Sequence, residues 1–97
     1  MRRVIFDEDA ERELVAQIDY LIQHGAVSAA HTLEAYVRSF IVEHLAVHPT
    51  IGSTLKHRNL WEFRIPRSRL VLWYRFTEVE LQIVYIWHTS EDRQATE

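Results

Sequence analysis

Residues 60–88, LWEFRIPRSRLVLWYRFTEVELQIVYIWH, decide the fold of this 97-residue chain. They read as three strands joined by short turns. Side chains alternate across a strand with period two, so the stretch has two faces of different character. One face is expected to carry Trp61, Phe63, Ile65, Leu70, Leu72, Tyr74, Phe76, Val79, Leu81, Ile83, Tyr85 and Trp87. The other is expected to carry Glu62, Arg64, Arg69, Val71, Trp73, Arg75, Glu80, Gln82, Val84, Ile86 and His88. The first face must be covered by other elements. The second mixes arginines, aromatics and a terminal histidine, and function is to be sought there.

Register follows from the turns. If Pro66 opposes Arg69, then Arg64 faces Val71 and Glu62 faces Trp73. If Phe76 opposes Val79 across a Thr77-Glu78 turn, then Tyr74 faces Leu81, Arg75 faces Glu80, Trp73 faces Gln82 and Val71 faces Val84. Both registers keep the apolar set together, as cross-strand pairing favours. The Thr77-Glu78 turn is atypical, lacking the glycine or asparagine that primed hairpin turns prefer.

Upstream, Arg2 to Phe6 reads as a first strand. Asp7 is placed to cap a helix whose first turn holds Glu8, Asp9 and Glu11, where negative charge complements the helix dipole. Ala10, Leu14, Ile18, Leu21 and Ile22 form its apolar stripe. Gly25 is placed to end it in a left-handed cap. Ser28 is expected to cap a second helix with the stripe Leu33, Val37, Phe40, Ile41, His44 and Leu45. A linker of residues 25–27 makes the pair an antiparallel hairpin. His48-Pro49-Thr50-Ile51-Gly52 ends the second helix, with Gly52 permitting a sharp bend, and residues 53–59 read as loop. The order is therefore β-α-α-β-β-β. It gives an α+β fold in which the helical hairpin packs on one face of a mainly antiparallel sheet. Residues 1–97 make one domain, with residues 89–97 as a flexible tail.

Composition narrows the class. An apolar content of 47% suits a packed core rather than a disordered chain. No apolar run approaches the length of a membrane span and no charged-then-apolar leader opens the chain, so neither a span nor a signal peptide is expected. The absence of cysteine excludes disulfides and thiolate metal sites and agrees with a cytoplasmic location. Net charge is −3, distributed as −4 over residues 1–50, +5 over residues 51–75 and −4 over residues 76–97. A basic zone on an acidic molecule attracts an acidic partner but is a weak nucleic-acid footprint. His44 and His48 lie four apart, but without a third ligand or an HExxH pattern neither a metal nor a cofactor is expected. His24, His31 and His57 read as surface or helix-end residues.

The ordered set of Ala10-x-x-x-Leu14, Leu45-x-x-His48-Pro49-x-Ile51-Gly52, Trp61-Glu62-Phe63-Arg64, Leu72-Trp73-Tyr74-Arg75 and Trp87-His88-Thr89-Ser90-Glu91-Asp92-Arg93 resembles the ParE/RelE superfamily of bacterial toxins. The resemblance runs from Arg3 to Arg93. It implies a toxin of a type II toxin–antitoxin module, held inactive by a cognate antitoxin. RelE-like members cleave mRNA on the ribosome, and ParE-like members poison DNA gyrase. The HP-x-IG turn and the histidine-ended last strand resemble ParE more closely.

A nuclease of this fold needs cations for phosphate and groups to move protons. The candidates are Arg64, Arg69 and Arg75 for charge, His88 or Glu62 for proton transfer, and Trp73 for stacking. In the register above His88 faces Arg67, and six strand residues, roughly 20 Å, separate it from the level of Glu62. The two cannot form one acid–base pair, whereas His88 and Arg69 could be neighbours. Ribosome-directed relatives are strongly basic and lysine-rich on this face, while this chain is acidic and carries only Lys56. A gyrase inhibitor is therefore the expected class, with a ribosome-dependent endoribonuclease using Arg64, Arg69 and His88 as the alternative and a non-toxic antitoxin-binding relative as the third. Arg64, Arg69, Val71, Trp73, Arg75, Val84, Ile86 and His88 are the expected antitoxin or target surface, its exposed apolar members inviting a covering partner.

Overall fold

In the computed structural model, which describes residues 2–56 and 58–89, a five-stranded sheet carries a helical hairpin on one side. The elements are β1 (Arg3–Phe6), α1 (Glu8–Gln23), α2 (Val27–Phe40), a π turn (Ile41–Leu45), a 3-10 turn (Pro49–Ile51), β2 (Ser53–Leu55), β3 (Leu60–Arg64), β4 (Leu70–Phe76) and β5 (Glu80–His88). The sheet order is β1-β5-β4-β3-β2, with β1 parallel to β5 and every other pair antiparallel. The α+β class holds. One strand is added, because Ser53–Leu55 pairs with Leu60–Glu62 instead of forming loop. The expected tail lies, apart from Thr89, outside the described residues, as does His57.

The helices form for local reasons. Asp7 caps α1 by position, but its side chain does not bond the helix; its carboxylate instead accepts the Gln82 amide at 2.6 Å. Gly25 adopts φ 81°, and Gly25 N–H and Ala26 N–H return to the Ile22 and Leu21 carbonyls, a Schellman ending. α2 begins at Val27 behind Ala26, so Ser28 sits inside its first turn rather than capping it. Arg38 of α2 donates to Glu11 of α1 at 2.9 Å and to Glu34 at 3.2 Å, and lies over the Phe6 ring. The Glu11 bond, reinforced by both acids, holds its guanidinium pKa above the ordinary value against partial burial.

The core lies between hairpin and sheet. Ala10, Leu14 and Ile18 of α1, with Ala30 and Val37 of α2, meet Leu70, Leu72, Tyr74, Leu81, Ile83 and Ile86. His44, expected in the α2 stripe, is exposed and packs its ring on Phe40 at 4.7 Å. Burial of the remaining stripe, not intrinsic helix propensity, holds the hairpin down.

The His48–Gly52 turn is built around Tyr74, whose hydroxyl donates to the Pro49 carbonyl at 2.5 Å. Gly52 has φ −84°, so it does not supply a special backbone angle. It supplies room. A Cβ there would press on the Tyr74 hydroxyl and lie 2.5 Å from the Glu62 carbonyl oxygen.

The β3–β4 register is as expected, with Arg64 opposite Val71 and Glu62 opposite Trp73. The β4–β5 register is not. Four residues, Thr77 to Glu80, separate the end of β4 from its partner on β5, two more than expected, and the Thr77 hydroxyl accepts the Val79 and Glu80 N–H groups at 3.2 and 3.1 Å. Phe76 therefore pairs with Leu81 and Arg75 with Gln82, and Val79 is solvent-exposed. A bulge then follows: Tyr74 pairs with Ile83 but Trp73 with Tyr85, leaving Val84 as the extra residue. Beyond it the side-chain phase of β5 reverses. Ile86 and His88 join the hairpin side opposite Leu72 and Leu70, and Tyr85 and Trp87 move to the other face opposite Trp73 and Val71.

Candidate functional site

Two regions bring functional side chains together, one on each side of the sheet. On the face away from the helices, cross-strand neighbours form two polar clusters. The Trp73 indole N–H donates to the Glu62 carboxylate at 2.8 Å, while Arg58 lies over the indole at 5.0 Å and the Tyr85 ring is 6.0 Å away. Arg75 Nε donates to the Gln82 amide oxygen at 2.7 Å, and that amide's NH₂ donates in turn to Asp7. Gln82 thus bridges a guanidinium and a carboxylate. Arg3 pairs with Glu80 at 2.5 Å on the same sheet edge. Arg64 is exposed at the end of β3.

Several expected surface residues stand elsewhere. Ile86 is fully buried in the hairpin-side core, because the bulge reverses its face. Val71 does lie on the open face but is itself fully buried. Trp73 and Val84 are half-buried. The exposed apolar patch expected from Val71, Trp73, Val84 and Ile86 therefore shrinks, and Trp73 and Tyr85 become its aromatic members.

On the other side, His88 pairs with Leu70 rather than Arg67. It lines a cavity of about 570 Å³ with Arg69, Leu70, Ala16, Gln17, Tyr20, Leu21 and Leu33. The neighbourhood of His88 and Arg69 is realised, and Thr89 N–H donates to the Arg69 carbonyl at 2.7 Å to fix the strand end beside the turn. Glu62 and His88 are separated more completely than strand length alone implied, since they occupy opposite faces of the sheet. The sequence pattern does not mark Gln17 or Tyr20, and it marks Leu33 only as part of the α2 stripe. They come from the hairpin, and nothing in the strand pattern points to them.

The β3–β4 corner is strained and well tied. Arg67 adopts φ 63°, unusual for a side-chain-bearing residue, and the Tyr36 hydroxyl donates to the Pro66 carbonyl at 2.5 Å. Ser68 Oγ donates to the Ile65 carbonyl and accepts Leu70 N–H. This corner sets Arg67 and Arg69 beside the hairpin. Among the described residues, no group of three or more histidines or acids could hold a metal ion. Burial pushes the Tyr74 phenol up to about 12, moderated by a hydrogen bond with the Gly52 backbone; Tyr74 is a structural post, not a proton donor at neutral pH.

Comparison with known proteins gives a consistent result. The sequence profile of the family described as the ParE toxin of the type II toxin–antitoxin system parDE matches residues 4–93. Among solved structures, a chain of the chromosomal ParDE TA system from P. aeruginosa superposes with a TM-score of 0.75 at 16% identity, covering 91% of this chain and 96% of that one. At that identity the likeness shows the shared fold. A search of curated protein sequences finds no match. With the profile spanning nearly the whole chain and the β-α-α-β-β-β-β order agreeing, the chain belongs to the ParE toxin family of type II toxin–antitoxin systems.

Proposed function

We propose that the chain acts as a toxin by inhibiting DNA gyrase and is neutralised by a cognate antitoxin in the cytoplasm. One observation carries the choice of target: the groups that a phosphodiesterase would combine are divided between the two faces of the sheet. Arg64, Arg75 and Glu62 are on the open face, and His88 is on the hairpin side. General acid–base chemistry needs its groups within hydrogen-bond reach of one reacting atom, and this division works against that. A face of arginines and half-buried aromatics suits recognition of a protein instead.

The antitoxin reading rests on the family and on the open surface. Among the described residues the sheet ends in two short strands, β1 and β2, each paired on one side, and an added strand is a common way for a peptide to bind at such an edge. An acidic segment with apolar side chains complements Arg64, Arg75 and Trp73.

In a supercoiling assay with purified gyrase, the chain should block conversion of relaxed plasmid, and added antitoxin should restore it. Normal supercoiling at saturating protein would reject the gyrase reading. A ribosome-dependent endoribonuclease is favoured by one feature, the shared cavity of Arg69 and His88. Primer extension on translated mRNA in expressing cells distinguishes it: new 5′ ends that vanish in His88→Ala and Arg69→Ala would establish cleavage. Expression without growth arrest would favour a non-toxic relative.

A further inference from the structure

The hairpin-side cavity has the parts of a small-ligand site, and the gyrase reading does not use it. Its volume of about 570 Å³ falls within the range of such sites, roughly 300–1,000 Å³. Arg69 and His88 are among its described lining residues, and no acidic residue is. The two are held at neighbouring strand ends by the Leu70–His88 pairing and the Thr89-to-Arg69 hydrogen bond. An anion is the group this end accepts.

The opposite wall comes from α1. Gln17 and Tyr20, three apart, point from the same side of the helix. Tyr20 is 59% exposed, yet its ring is stacked on His24 with centroids 4.1 Å apart and planes 29° apart. An exposed tyrosine alone is ordinary. One braced by a second ring beside a cationic cavity offers an ordered surface for a planar group. Leu21, Leu33 and Leu70 make the floor apolar, which a bare anion would not use.

We propose that this cavity binds a nucleoside monophosphate, free or as the terminal nucleotide of a longer chain. The phosphate sits on Arg69 beside His88, the base lies against Tyr20, and the Gln17 amide meets the base edge with a donor and an acceptor. A single nucleotide fits the charge better than an extended polyanion. The molecule carries −3 overall, which disfavours an extended polyanion. The proposal does not depend on whether the toxin acts on gyrase.

The test is an NMR titration of the isotopically labelled full-length chain with AMP, adenosine, inorganic phosphate and a 5′-phosphorylated trinucleotide. AMP should give saturable shifts at Gln17, Tyr20, Arg69 and His88, with adenosine and phosphate each about tenfold weaker or more. Arg69→Ala should lower AMP affinity to that of adenosine, and Tyr20→Ala to that of phosphate. Tyr20→Phe should retain AMP binding, because the ring and not the hydroxyl is used. Trinucleotide binding tighter than AMP would assign the site to a chain end; equal binding would assign it to the free nucleotide. Absence of saturable shifts, shifts centred on Arg75 and Gln82, or unchanged AMP affinity in Arg69→Ala would each overturn the proposal. Tyr20 and Arg69 are exposed, so these variants leave the core intact, and melting curves verify it.

Discussion

At Gly52 and Tyr74 a turn, a strand and a helix end meet within a few ångströms. Gly52→Ala places a methyl group 2.5 Å from the β3 backbone at Glu62, and that backbone is held on both sides by strand pairing. The expected cost is about 1–3 kcal/mol, read as a lower urea midpoint at unchanged slope. Tyr74 makes a second test through pH. Its phenol is held near 12 in the fold, whereas an unfolded tyrosine ionises near 10. The contribution is fully present below about pH 10, and above it the unfolded chain binds fewer protons. Stability should therefore fall as pH rises between about 10 and 12, by about 2–3 kcal/mol across that window. Tyr74→Phe should remove this alkaline loss while costing about 1–2 kcal/mol at neutral pH for the lost bond to Pro49. Urea unfolding of both proteins at neutral and alkaline pH checks each sign.

β5 is the element on which the sequence reading and the structure part. Alternation identified all three long strands, although Leu70 to Tyr74 is a continuous apolar run whose phase is set by the short turn before β4 and its pairing with β3. It failed at Val84-Tyr85-Ile86-Trp87, where four consecutive apolar residues fit either phase. The bulge at Val84 resolves the ambiguity by putting Ile86 in the core. Deleting Val84 should therefore give strict alternation with Ile86 still in the core and Tyr85 and Trp87 still on the open face. The cost should stay below that of emptying an Ile site, about 2–5 kcal/mol, with the β5 amides beyond the deletion still protected in hydrogen exchange; loss of that protection would show that the bulge itself is required. The turn before β5 carries the same lesson. Thr77 replaces the missing glycine or asparagine with a hydroxyl that takes two N–H groups, and the longer turn shifts the register by two residues, which preserves the faces.

For the whole molecule, the sheet separates the two surfaces for which different partners are proposed. On the open face, Trp73→Ala removes an aromatic anchor and leaves the Glu62 carboxylate without the indole donor. Affinity for the antitoxin should fall by roughly tenfold or more, measured by calorimetry, with little loss of fold because Trp73 lies outside the central core cluster. Arg75→Glu puts a third acid beside Asp7 and Glu80 around Gln82 and should weaken the same interaction with greater salt sensitivity. An unchanged affinity in both variants would move the antitoxin to another surface.

The chain's own pattern determined the element order, the helical hairpin, the β3–β4 register and the family, because periodicity and short turns are local properties. Gly25 is the clearest case: its left-handed cap follows from residues within one turn of it. Only the tertiary structure decided which face His88 and Ile86 occupy, that Gly52 is needed for space, and that α1 brings Gln17 and Tyr20 to Arg69. Each of these depends on where one element meets another. A bulge of one residue and the packing of a distant helix leave no mark on local alternation.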